Sequence, residues 1–152
     1  MFRNLLSRLL DAAQPAPLSA QDAEVAIAAL LVRIARADDH YGEVEKHRID
    51  QVLARRRGLD STEAAARRAA AEMIEAEAPD TVRFTRTIKE RVDLADRHDV
   101  LAAMWEVAYA DGQRSAEEES LVRLVAGLLG VNDRDSGLAR QRALDDLGQP
   151  GT

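Results

Sequence analysis

The chain has 152 residues, the size of one domain, with 46% hydrophobic residues, 3% aromatics and a net charge of −6. An isoelectric point near 5.1 argues against general binding to a phosphate backbone, so no nucleic-acid partner is expected. The absence of cysteine excludes disulfides, thiolate zinc sites and cysteine nucleophiles, and no apolar run reaches the roughly 20 residues of a membrane span.

Alanine is abundant and Pro and Gly fall at segment ends, which predicts helices throughout. Phe2, Leu5, Leu6, Leu9 and Leu10 recur at helical spacing, so residues 1–18 read as a short amphipathic helix and a Pro15–Pro17 linker. Arg8 and Asp11 interrupt it, unlike the continuous apolar core of a secretory signal, and the expected location is cytoplasmic. This helix is expected to pack on its own bundle, to make a homodimer with a second copy, or to lie peripherally at the inner membrane.

Ser19 to Asp22 then reads as a capping box opening a helix to about Asp38, with Ile27, Leu30, Leu31 and Ile34 inward. A polar loop, Asp39 to Gly42, leads to a helix over Glu43 to Arg57 with Ile49, Val52 and Leu53 inward, stopped by Gly58. The run Arg55-Arg56-Arg57 falls in its last turn, where cations complement the macrodipole. Asp60 and Glu63 open an Ala-rich helix to about Glu77, and Asp80 opens one carrying Val82, Phe84, Ile88 and Val92. The next runs to about Asp111 with Leu101, Met104, Trp105 and Ala108 inward. Ser115 and Glu118 open another with Leu121, Val122, Val125, Leu128 and Leu129, ended by Gly130. A weak, fraying helix is expected around Leu138 to Leu147.

Ile34-Ala35-Arg36-Ala37-Asp38 and Val107-Ala108-Tyr109-Ala110-Asp111 resemble each other. Each ends a helix and leads through a polar loop to an acidic helix start. The offset is 73 residues before the loop and 72 after it. The expected fold is therefore all-α: a bundle of about seven helices built from two pseudo-repeated hairpins packed face to face, with Ser61 to Val92 crossing between them. Residues 19–132 form the helical domain and 133–152 a tail.

Asp38 and Asp111 fall on the inward side of their helices at the C-terminal end, where the carbonyl dipoles disfavour an anion. Two compensations are open. Each Asp accepts backbone N–H bonds from the next helix start, or a hard cation is held by Asp38, Asp39, Glu45, Asp111, Glu117 and Glu118. The spacing is not that of an EF-hand. A shared site requires the two loops to lie at the same end of the bundle.

Ala35-Arg36-Ala37-Asp38 and Ala108-Tyr109-Ala110-Asp111-Gly112, each before an acidic helix start, resemble the paired motifs of TerB-like proteins. That family takes in the tellurite-resistance protein TerB and the similar N-terminal region of DjlA-type co-chaperones. Phe84-Thr85-Arg86-Thr87-Ile88-Lys89-Glu90 fits its linking region, and the likeness spans about Asp22 to Asn132. It implies an all-helical fold, a role in tellurite or stress response, and divalent-cation binding by the motif acids. The first loop, Asp38-Asp39-His40-Tyr41-Gly42, departs from the family's Ala-Asp-Gly.

His40, His47 and His98 belong to no HExxH pattern, His40 reads as an exposed loop residue, and no glycine-rich loop cradles phosphate. No enzyme is expected. The function expected is that of a binding module for a divalent ion (calcium, magnesium or zinc) and a protein partner, such as a membrane-associated stress-response protein. The alternative is a ligand-free structural domain whose aspartates only cap helices.

Overall fold

The structure, a computed structural model, describes residues 20–37, 39–77, 81, 85, 88–90, 92–110 and 115–148, with the backbone alone for 20–23, 94 and 95. The expected N-terminal helix, the Ser19 cap, Asp38, Phe84 and Asp111 lie outside the described residues.

The protein is all-helical, and the described residues contain no strand. Six helices run in order: α1 Ala20–Ala35, α2 Glu43–Arg57, α3 Ser61–Glu77, α4 Leu94–Ala108, α5 Ala116–Leu128 and α6 Asp133–Asp146. Thr81, Thr85 and residues 88–90 are helical too, in the segment expected to cross between the halves. Among the described residues no helix is long and apolar enough to cross a membrane.

α1 and α4 form the centre. Sequence periodicity predicts one inward stripe on each, but along much of their length both are covered on every side. In α1 Val25 to Val32 are buried without interruption, and in α4 so are Val100 to Tyr109. A helix apolar all round belongs inside, and Ala26, Ala28, Ala29, Ala102 and Ala103 are small enough to admit neighbours at close range. α1 packs most extensively against α3, α4 against α6, and α1 and α4 against each other.

Both central helices end three residues earlier than the sequence suggests, through the same tightened turn. Arg36 N–H donates to Val32 O and Ala37 N–H to Ile34 O; Tyr109 N–H donates to Trp105 O and Ala110 N–H to Val107 O. In each, one i→i−4 bond is followed by one i→i−3 bond, which tightens the last turn and satisfies a carbonyl the helix leaves open. α2 and the α5 segment also stop alike: Gly58 and Gly130 have φ of 64° and 78°, and Leu59 and Val131 donate back to Ala54 O and Ala126 O. Only glycine takes this left-handed cap without strain.

The last helix differs from expectation. It begins at Asp133, capped by the Asn132 side chain, which accepts from Asp135 N–H at 2.8 Å. Ala143 and Leu144 are buried in the common core. Tyr109 stacks on Trp105 at 5.8 Å, and Arg140 of α6 donates to the Tyr109 hydroxyl at 2.7 Å while lying over the Trp105 ring. The weak hydrophobic pattern of α6 concealed this, because only a narrow side of it touches α4.

Tyr41, in the first loop, ties that loop to α3. Its hydroxyl donates to Glu72 at 2.5 Å, and Arg68 joins Glu72 and Asp50. Burial and the Glu72 carboxylate hold the Tyr41 hydroxyl pKa well above its ordinary value.

Candidate functional site

The four described carboxylates of the expected metal site do not form a donor set of their own. Among the described residues no three His, Asp or Glu come together as a metal-sized cluster. Glu45 and Glu118 are buried at the third position of α2 and α5. Glu45 accepts from Gly42 N–H at 3.2 Å, and the Glu118 N–H donates to Ser115 Oγ at 3.2 Å. The Glu45 carboxylate thus serves the start of α2, while at the start of α5 it is the Ser115 hydroxyl that caps, through the Glu118 backbone. Glu117 is exposed and accepts from Ser115 Oγ at 3.0 Å; Asp39 is exposed in a left-handed conformation with φ of 63°. A divalent ion here would depend on Asp38 and Asp111, which lie outside the described residues. Ala110, at the start of the second loop, shares a shallow depression with Glu43, Val44 and His47, so α4 ends beside the start of α2.

The strongest electrostatics lie elsewhere, on residues the sequence reading passed over. Glu24 of α1 is 3% exposed, yet it is charged and paired. Arg56 Nε and Nη2 reach its two oxygens at 3.2 Å each, and Arg57 Nη2 reaches Oε2 at 3.1 Å. Glu106 of α4, also 3% exposed, accepts a fork from Arg55 at 3.2 and 2.6 Å and a contact from Arg48 at 3.5 Å. Glu75 of α3 meets Arg33 at 3.3 Å and Arg36 at 3.2 Å. Each of these three carboxylates is thus held by two guanidiniums.

Burial by itself raises the Glu24 pKa. The hydrogen bonds and charges of Arg56 and Arg57 outweigh that, and the net value lies below the ordinary one. Glu106 in turn raises the pKa of Arg55, and Glu24 that of Arg57.

The arginine run of α2 therefore does more than complement a dipole. Successive residues on a helix point about 100° apart, so Arg55 faces α4 while Arg56 and Arg57 reach α1. The missed acids had a sequence signal. Glu106 is a single carboxylate inside a long apolar run, Met104-Trp105-Glu106-Val107-Ala108, and Glu24 stands at the head of another, Glu24-Val25-Ala26-Ile27. A charge so placed requires a partner once its helix is enclosed.

Arg55, Arg56 and Arg57, paired with Glu106 and Glu24, border a cleft of about 670 Å³ between α2, α4 and α6. Arg55 and Arg57 stand on its α2 side, Asp96 and Asp99 on α4, and Arg142 and Asp146 on α6, with Ala102 and Ala103 lining it. Arg55, Arg57 and Arg142 keep about half or more of their side chains in solvent. Arg142 lies 3.5 Å from Asp99. Fixed guanidiniums of this kind bind and orient anionic groups; they do not exchange protons near neutral pH.

No curated protein and no solved structure matches the chain. Residues 24–141, which hold all six helices except the ends of α1 and α6, match the family described as tellurite resistance protein TerB, and the chain belongs to that family.

Proposed function

We propose that the protein is a non-enzymatic binding module whose working surface is the cleft between α2, α4 and α6. Its partner is a protein segment that carries both signs of charge. The reading rests on one observation: Arg55 and Arg57 stand about half in solvent at the cleft, Arg55 forked onto the buried Glu106 and Arg57 bonded through one nitrogen to the buried Glu24. Their positions are fixed before a ligand arrives, which lowers the ordering cost of binding. Asp96, Asp99 and Asp146 supply the opposite sign within the same cleft, so a segment with separated acidic and basic side chains fits better than a uniformly charged one.

A photoreactive amino acid at Asp146, inside the cleft, compared with one at the exposed Ala66 of α3, tests this. The expected result is a cross-link to one protein from the Asp146 position alone. That protein, purified, binds with an affinity that falls as salt rises and is lost in Arg142→Glu. Equal cross-linking from Ala66, or binding indifferent to salt and to Arg142→Glu, overturns the reading. Membership of the TerB family makes tellurite tolerance the cellular readout, and Arg142→Glu is expected to lower it without lowering the amount of folded protein.

A further inference from the structure

α5 carries an apolar surface that its neighbours leave open. Leu124 is 46% exposed, Leu121 and Leu128 are half-buried, and Ser120 and Gly127 complete a stripe at helical spacing on which no charge falls after Glu117. A Cβ built on Gly127 would meet nothing within 4 Å. The other large exposed apolar residues stand apart, one to a helix: Val44 on α2, Met73 on α3 and Leu138 on α6.

The chain holds a segment of matching chemistry. Phe2, Leu5, Leu6, Leu9 and Leu10 lie on one side of a helical repeat within the first 13 residues. α5 also has 13 residues, so the two run to the same length, about 20 Å at 1.5 Å per residue. The segment also enters at the right place. Glu24, near the start of α1, pairs with the end of α2; Arg57 feels the charge of Asp96 at the start of α4; and Arg97, next along, donates to Leu129 O at 2.9 Å, just past α5. The starts of α1 and α4 and the ends of α2 and α5 therefore share one end of the bundle. The six residues from Gln14 to Ser19 span up to about 20 Å when extended, enough to cross from α1 to α5. A segment returning along α5 from that end runs parallel to it, which sets Arg3 beside the acidic start at Glu117 and Glu119.

We infer that residues 1–13 of this chain dock as a helix on the Leu121–Leu124–Leu128 face of α5. The docked segment covers the leucine stripe of α5, and a short amphipathic helix that is marginal alone in water gains a surface to fold on.

The chain has no cysteine, so disulfide trapping reads this contact directly. Leu9→Cys with Leu124→Cys is expected to form an intramolecular disulfide under mild oxidation, with the mass and elution volume of a monomer. Leu9→Cys with Met73→Cys is expected to stay reduced under the same conditions. Covalent dimers as the main product would mean that α5 pairs with a second copy, and would overturn the inference. So would an equal yield from Met73→Cys, or no disulfide in either variant. Should the double variant fold poorly, amide hydrogen exchange on protein lacking residues 1–14 reads the same contact. Exchange is expected to speed up across residues 121–128 while the buried amides of α1 and α4 keep their protection; unchanged exchange in α5 would overturn it.

Discussion

The Glu106 carboxylate lies 2.6 Å from the Arg55 guanidinium, and the two partners differ sharply in exposure: 4% of the Glu106 side chain reaches solvent against 57% of Arg55. The pair is therefore asymmetric towards mutation. Removing the carboxylate lets Arg55 rehydrate, whereas removing the arginines strands a charge with no water to receive it. Arg48→Ala with Arg55→Ala is expected to cost about 3–5 kcal/mol, the range for an uncompensated buried charge. Glu106→Gln is expected to cost clearly less. Urea unfolding of the two variants gives the comparison directly.

Acid should weaken the fold through Glu24. Its pKa is lowered in the folded protein by Arg56 and Arg57, against an ordinary value of 4.5. A depressed carboxylate contributes stability above its unfolded pKa and loses it as pH falls through the folded value. Melting temperature is expected to fall steadily below about pH 4.5. In Glu24→Gln that part of the acid slope disappears, while stability near neutral pH is reduced.

α6 is expected to behave as core rather than as a tail. Leu144 is fully buried, and Arg140 covers Trp105 and Tyr109. Leu144→Ala should cost about 2–5 kcal/mol by cavity formation. Ending the chain at Asn132 should expose Trp105 and shift its fluorescence to the red. Trp105 is the only tryptophan in the sequence, so the emission reports this contact alone.

Two glycine substitutions should move stability in opposite directions. Gly58 has φ of 64°, and Gly58→Ala is expected to destabilise by about 1–2 kcal/mol, the left-handed penalty for an L residue. Gly137 lies inside α6, where an added Cβ meets nothing within 4 Å. Gly137→Ala is expected to stabilise by about 0.5–1 kcal/mol through helix propensity. Thermal melts of both variants check the sign.

The sequence by itself determined the helices and their punctuation. Gly58 and Gly130 stop them, Asp60 and Glu63 bond reciprocally at 2.8 and 3.1 Å, and Ser115 caps α5. These are local bonds spanning three to five residues, so the order of residues suffices to write them. The inward residues of α2, Ile49, Val52 and Leu53, were legible for the same reason, as a periodicity within one helix. The paired Ala-Asp motifs were enough to place the chain in its family, since they too are local patterns. What surrounds each helix was decided only in three dimensions. Periodicity states that a side is buried but not whether the remaining sides are covered too, and α1 over Val25–Val32 and the α4 segment over Val100–Tyr109 proved to be covered on all sides. The cleft belongs to this second kind. Arg56 meets Glu24 across 32 residues and Arg55 meets Glu106 across 51, and although each carboxylate stands out beside an apolar run, no local rule selects its partner among the 21 Lys and Arg of the chain. The choice falls to the packing, because a carboxylate carried inward on an apolar helix is stable only where the neighbouring helix brings a guanidinium to meet it.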